Sequence, residues 1–357
     1  MSSFALGLLA ALMAPFLMAV GFIVWDNHWL GSPFALNLCK CNLAAVGFAI
    51  VVFTNEDSDF SFTNVGFLIL SSILGLLVGD WVWLEGMRVL GARKVIVMDT
   101  LKPFLAALLG RVFLHEHLSI LAYLGLVLTA IGVVMVGLDM ESESTTSSKD
   151  TELDATEDPA ESDNLVRGER AHDKSLQHST SYSEMRKKRK QPLRETYYGI
   201  FMAVLNVLLH TFGALLTKYF GVGMTTWEIN LIRFGFSGVV MTIISVSFHF
   251  RAFLFSSQEV RLSIDRPWYA LPRMNLSQWL HVLTGMVFVS FLAPALSNYA
   301  MFQIALALLL TLESLGPLYS LPLVFLLQGE RPSARSGAGA VLAVLGIVLL
   351  SSRGMAF

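Results

Sequence analysis

Apolar residues dominate the chain in runs of roughly 20, the length that crosses a hydrocarbon core as a helix, and short polar turns separate the runs. In order, the pattern predicts helix 1 over 4–25, helix 2 over 33–53, helix 3 over 65–87, helix 4 over 95–114 and helix 5 over 118–138. Beyond a long polar segment it predicts helix 6 over 196–220, helix 7 over 226–249, helix 8 over 276–299, helix 9 over 301–327 and helix 10 over 336–350. Pro15 sits mid-way along helix 1, where the lost backbone N–H is expected to kink it. The expected fold is therefore all-α and integral to the membrane, with ten transmembrane helices.

Composition sharpens this. The 357 residues are 54% hydrophobic and 15% charged, against about 25% charged in a soluble domain. Much of the charge is concentrated at 139–194. Its first part is acidic and rich in Ser and Thr, and its second is basic, ending in Arg186, Lys187, Lys188, Arg189 and Lys190. Such a stretch buries too little apolar surface to fold alone. Residues 139–195 are accordingly expected to be a disordered linker between a first domain, 1–138, and a second, 196–357. The basic cluster at 186–190 precedes a spanning helix, so it reads as a topogenic or anionic-lipid-binding element rather than a nuclear address, and no nucleic-acid partner is implied. Cys39 and Cys41 point to nearly opposite helix faces and read as packing residues. The first apolar run has no basic leader and is long for a secretory signal; no plastid or mitochondrial leader is seen, and the sequence does not specify which membrane is used.

The chain also repeats itself. The stretch from Asp99 returns from Glu313 onward at a constant offset of 214 (317 − 103). Pro103 falls on Pro317, Glu116 on Glu330, Gly125 on Gly339 and Gly132 on Gly346. Asp99 falls on Glu313, Thr100 on Ser314, Leu101 on Leu315 and Met87 on Met301. Two halves with an odd number of helices each lie antiparallel in the membrane, an inverted-topology repeat.

This Pro, Glu and Gly-x6-Gly pattern resembles the EamA-like branch of the drug/metabolite transporter superfamily. In that family the first helix of a half typically ends near a Lys and the second begins near an Arg. Lys218 and Arg233 match this in the second half. The first half departs from it, with Trp25 in place of the Lys and Lys40 in place of the Arg; Asn37 echoes Asn230 at an offset of 193 (230 − 37). The resemblance implies two five-helix inverted repeats around a central cavity, and secondary-active transport of a small polar or amphipathic solute by alternating access.

Ionisable groups inside spanning helices are costly and normally face a cavity or a partner. Asp80 lies well inside helix 3 beside Trp81 and is the first candidate for a substrate or proton site. Lys40 and Arg233 are equivalent by the repeat and either attract an anionic group or neutralise acids of neighbouring helices. Asp99 and Glu313 each stand four residues before a repeat proline. Asn206 and His210 share a helix face one turn apart; with Asn298 and Tyr299, and with Asn37 and Asn230, they complete the candidate pathway. Lys102 and Lys218 lie near helix ends, where snorkelling explains a lysine equally well.

Glu116 and Glu330 read as turn residues that accept hydrogen bonds from the helix following each of them. The four glycines read as packing residues that leave room for a homodimer face. No catalytic motif emerges, no cofactor is implied, and His115 and His117, two apart, are a weak metal pattern. The second function class open to such a chain is a non-transporting membrane scaffold or receptor acting through its linker. Orientation stays divided: the family keeps both termini in the cytosol, whereas the positions of Lys and Arg favour a cytosolic linker.

Overall fold

The computed structural model describes residues 2–26, 28–54, 64–90, 92–153, 193–255, 267–319, 322 and 333–352. The basic cluster at 186–190 and Glu330 lie outside the described residues. Every described element is helical. The first half holds α1 (Ser3–Asp26), α2 (Pro33–Thr54), α3 (Val65–Ser72), a π-helical segment (Ile73–Gly79), α4 (Asp80–Leu90), α5 (Ala92–Asp99), α6 (Lys102–Phe113) and α7 (Ile120–Leu153). The second holds α8 (Leu193–Phe220), α9 (Thr226–Phe255), α10 (Leu276–Met286), a second π segment (Val287–Leu292), α11 (Ala293–Met301), α12 (Leu306–Glu313) and α13 (Ala334–Ser352).

Seven of these stretches are long and apolar enough to cross a membrane: Ser3–Trp25, Pro33–Thr54, Val65–Leu90, Arg194–Phe220, Thr226–Leu254, Leu276–Met301 and Ala334–Ser351. Two shorter apolar helices, Ile120–Val136 and Leu306–Tyr319, accompany them. Helix α1 runs through Pro15 without a break, and the Tyr319 hydroxyl donates to the Leu12 carbonyl one turn earlier, at 3.0 Å. Helix α7 continues to Leu153, past the boundary expected at 138.

The expected helices 4 and 9 are each broken, and at equivalent places. Helix α5 stops at Asp99 and α6 starts at Lys102; α12 stops at Glu313, with a turn before Pro317. Proline has no N–H to continue the ladder, so the chain caps itself just upstream. The Thr100 hydroxyl donates to the Val97 carbonyl and the Ser314 hydroxyl to the Thr311 carbonyl, both at 2.7 Å. The same offset of 214 relates the starts of the two π segments, of α5 and α12, and of α7 and α13. The sequence repeat is thus a repeat of backbone irregularities as well as of residues.

The halves interlock. Helix α2 packs on α9 and α7 on α13; α1 lies against α10, the second π segment and α11, while α8 lies against α3, the first π segment and α4. Each half's first helix therefore packs on the other half's third. The largest buried apolar cluster surrounds α12, where Leu306, Ala307, Leu308, Leu309, Leu310 and Leu312 are all buried. The α7–α13 seam is made by the repeated glycines: a Cβ at Gly132 would lie 2.5 Å from the Gly339 carbonyl oxygen, and one at Gly125 2.5 Å from that of Gly346. Both glycine pairs face each other within one chain, so they serve the packing of α7 on α13.

Candidate functional site

Six charged side chains from both halves gather among the apolar helices. On α2, Lys40 reaches Asp80 at the start of α4, Nζ to Oδ2 2.5 Å. Asp80 is placed by the π segment before it, whose wider turns release backbone groups from the ordinary ladder. Asn37, one turn before Lys40, donates to one of its carbonyls, that of Leu76, at 3.0 Å. On the next broken helix Lys102 Nζ lies 2.9 Å from Asp99 Oδ1. Asp99 also accepts from Asn206 on α8 at 2.9 Å and from the Trp83 indole at 3.0 Å. The side chains of Lys40, Asp80, Asp99 and Lys102 keep 13–17% of their surface accessible.

The second half builds the same frame with different chemistry. The Ser297 hydroxyl donates to Glu313 Oε1, where Trp83 serves Asp99 in the first half; the two donors are equivalent at the offset of 214. Glu313 has no cation within 4 Å among the described residues, because the position of Lys102 is taken by Gly316. Arg233, on α9, occupies the place of Lys40, and the place of Asp80 is taken by Pro294. The Arg233 guanidinium lies against the first half's π segment, where a Cβ at Gly75 would come within 3.1 Å of Nη2. It stands in the fields of Asp80 and Glu313, yet its Nε is buried without a hydrogen-bond partner. The Ser72 hydroxyl fixes the Arg233 backbone by donating to its carbonyl at 2.5 Å.

His210 sits within electrostatic reach of Lys102, Arg233 and Lys40, with its Nδ1 buried and unpartnered. Most buried polar groups in a folded protein find partners; Arg233 Nε and His210 Nδ1 are exceptions among the described residues, as are Trp29 Nε1, Glu228 Oε1 and Ser290 Oγ. Asn230 and Asn298 do different work. Asn298 donates to Asn230 Oδ1 at 2.5 Å, and Asn230 donates to the Pro294 carbonyl at 3.3 Å, tying α9 to α11. Trp81 is 46% exposed and makes no polar contact with the cluster, and Tyr299 is 38% exposed. The tryptophan that does touch an acid of the cluster, Asp99, is Trp83; laying the repeat across Trp83 and Ser297 would have marked it, but the two residues are chemically unlike.

A second polar node lies at the far end of α8. Glu116 does not cap α7, the helix that follows it. Its carboxylate accepts instead from the Leu306 N–H at the start of α12, at 3.0 and 3.2 Å, across the two halves. Lys218 Nζ lies 2.6 Å from Glu116 Oε1 and donates to the Ile304 carbonyl at 2.6 Å. Lys218 is therefore held in a pair and does not snorkel. His115 takes a left-handed φ of 55°, and Gly110 leaves room for the acid, since a Cβ there would lie 2.7 Å from Glu116 Oε2.

Two comparisons locate this architecture among known proteins. The chain matches the model of the EamA-like transporter family over residues 5–138 and 197–352, more than half of its length. A crystal structure described simply as that of a protein superposes with a TM-score of 0.65 at 12% identity, covering 98% of this chain and 99% of that one. That likeness speaks to the fold alone. No curated protein matches the chain.

Proposed function

The chain belongs to the EamA-like transporter family and is an integral, multi-pass membrane protein, and from that premise we propose that it moves a small polar or amphipathic metabolite by secondary-active, alternating-access transport. Ten crossings, five per half with the halves inverted, enclose a central cavity lined by the charged cluster. The observation that carries this reading is the gathering of Lys40, Asp80, Asp99, Lys102, Arg233 and Glu313 from both halves among the apolar helices. Groups so costly to bury in a bilayer are retained where a solute or proton must pass.

In this reading the Glu116, Lys218 and Leu306 node closes one end of the pathway, the end remote from the linker. The π segments and the breaks before Pro103 and Pro317 supply backbone that rocks without unravelling whole helices. Asp80 is the proton or substrate carrier, and Lys40 holds it while the site is empty. Linker and basic cluster face the cytosol, where anionic lipid engages residues 186–190.

The test is uptake and counterflow of a metabolite mixture into proteoliposomes, with mass-spectrometric identification of what is retained. Wild-type protein is expected to accumulate at least one solute in a pH-dependent way, and Asp80→Asn to abolish that dependence. Unchanged transport and pH dependence in Asp80→Asn would remove its assigned role. No movement of any solute by well-folded wild-type protein would sink the transport reading and favour a scaffold acting through the linker.

A further inference from the structure

At one end of the molecule Glu116 and Lys218 join the halves through an ion pair. Helix α8 runs from the linker to that node and α9 runs back, so the end of α9 lies on the linker side. There the halves are joined by a strap, residues 267–273, which is not helical and leads through Met274 into α10. Ser32, the residue before α2 in the first half, donates its hydroxyl hydrogen to the Trp268 carbonyl. Ser245, on α9 in the second half, donates to the Tyr269 carbonyl at 2.8 Å. The Trp268 ring stands edge-on to Phe34 on α2 and Phe248 on α9, with centroids 5.0 and 5.1 Å apart. Tyr269 packs on Phe248 and His249. Gly31 makes room for the strap, since a Cβ there would lie 3.0 Å from Pro272 Cδ. Behind it, Met274 packs on the buried cluster of Trp25, Leu36, Val282 and Met286, and so does Cys39, the neighbour of Lys40.

These fastenings come away without breaking a helix. Both hydrogen bonds end on strap carbonyls, which bond to water once they are exposed. Ser32 also accepts from the Ala35 N–H at 3.0 Å, and it goes on capping α2 when the strap leaves. Ser245 has a second acceptor in its own helix one turn back, the bond that Thr242 makes to the Gly238 carbonyl on α9. Neutral hydrogen bonds of this kind shift an equilibrium by about tenfold or less each. The root of the strap is firm: Asn275 and Gln278 cap α10 reciprocally, at 2.8 and 3.0 Å, so the segment pivots on α10 and does not unravel it. We propose that residues 267–273 are a latch on the linker side of the pathway. Seated on α2 and α9, the strap covers the Trp25 and Met286 cluster; lifted, it uncovers that cluster and the approach to Lys40 beyond Cys39. The proposal rests on the transport reading for what then passes; the lifting itself is independent of it.

Two native thiols read the lifting. Cys39 is half-buried in the cluster that Met274 covers, while Cys41 is fully buried and reports unfolding. The measurement is maleimide labelling of each thiol, resolved by mass spectrometry, on the full-length protein in lipid nanodiscs. Ser245→Ala with Trp268→Leu removes one hydrogen bond and the Trp268 ring contacts and leaves the α2 cap in place. In that variant Cys39 is expected to label at least about tenfold faster than in wild type, with Cys41 unchanged. Equal Cys39 rates, or Cys41 rising in step with Cys39, overturn the latch. Ser245→Cys with Tyr269→Cys, alongside Cys39→Ala and Cys41→Ala, tests the consequence in proteoliposomes. Bridging the two introduced thiols with a short, cleavable bifunctional reagent is expected to stop solute counterflow, and cleavage to restore it. Counterflow at the unbridged rate would overturn the proposal. Strap-dependent labelling with no counterflow by wild type leaves the latch standing and defeats transport. Counterflow with Cys39 labelling indifferent to the strap does the opposite.

Discussion

In the central cluster the first half pairs its own acids and bases, Asp80 with Lys40 and Asp99 with Lys102, whereas the second half keeps the same backbone frame and forms no such pair between Arg233 and Glu313. Both have a π segment, a broken helix ending in an acid, and a donor sixteen residues before that acid, Trp83 for Asp99 and Ser297 for Glu313. What changed are four side chains on that frame: Asp80 became Pro294, Lys102 became Gly316, Lys40 became Arg233 and Trp83 became Ser297. A repeat therefore fixes geometry, and the breaking of its chemistry locates function. The self-paired half resembles a counterweight, and the chemical difference between the halves is concentrated at Arg233 and Glu313.

The largest effect is expected where the halves grip each other. Glu116→Gln removes the charge that Lys218 meets at 2.6 Å and weakens the cap on α12. Both side chains are only 12–14% exposed, so the lysine is left largely unpaired in a poorly hydrated place. Removing one partner of a buried pair typically costs about 3 kcal/mol or more, which should appear as a lower Tm in detergent and a pathway that no longer closes at that end. The first half has Trp25 where the second has Lys218. A Trp25→Phe variant should disturb packing alone and leave closure intact. Equal defects in the two variants would show that this node is no gate.

Much of this frame is legible in the sequence, and the limits are instructive. The repeat of Pro, Glu and Gly at a fixed offset reports architecture because those residues answer to backbone demands. Pro103 and Pro317 forbid a continuous ladder, and Gly125, Gly132, Gly339 and Gly346 allow carbonyl-close contact between α7 and α13. Yet hydropathy read 95–114 and 301–327 as single helices, since a broken helix keeps its apolar composition. Neither π segment carries a pattern of its own. The partner of Glu116 was invisible because Leu306 lies 190 residues away on the other half. Asp80, Lys40 and Arg233 stood out as charges in apolar runs, whereas Trp83 and Trp81 differ only in which way the chain turns them, and periodicity did not decide that.

A smaller effect distinguishes the two acids. Asp99 is held by Trp83, Asn206 and Lys102 together, while among the described residues the Glu313 carboxylate has Ser297 alone. Hydrogen bonds to charged groups contribute about 1.5–3 kcal/mol, and the loss is greatest where nothing else remains. Ser297→Ala should therefore cost about 2 kcal/mol and disturb ligand affinity, and Trp83→Phe about 1 kcal/mol or less from its hydrogen bond. Chemical denaturation of each variant beside its affinity for the bound solute checks both. A greater loss of affinity in Trp83→Phe would place the ligand on the first half.

The least effect on stability, and the sharpest on function, is expected from restoring the missing base. Among the described residues, nothing lies within 4 Å of a Cβ built at Gly316. Its place after Glu313 is that of Lys102 after Asp99, whose i,i+3 pair spans 2.9 Å. Gly316→Lys can therefore recreate the first half's pair on the second half's frame. The new lysine loses its hydration and gains an ion pair, terms that nearly cancel in partly buried sites, so Tm should move by the equivalent of about 1 kcal/mol or less. Glu313, however, would then be met as Asp99 is by Lys102, and transport of the solute should fall. Because the variant adds a contact and removes none, the loss cannot be ascribed to damage. Undiminished transport, with Gly316→Lys folded as stably as wild type, would mean that the difference between the halves is a drift of sequence with no bearing on what the protein moves.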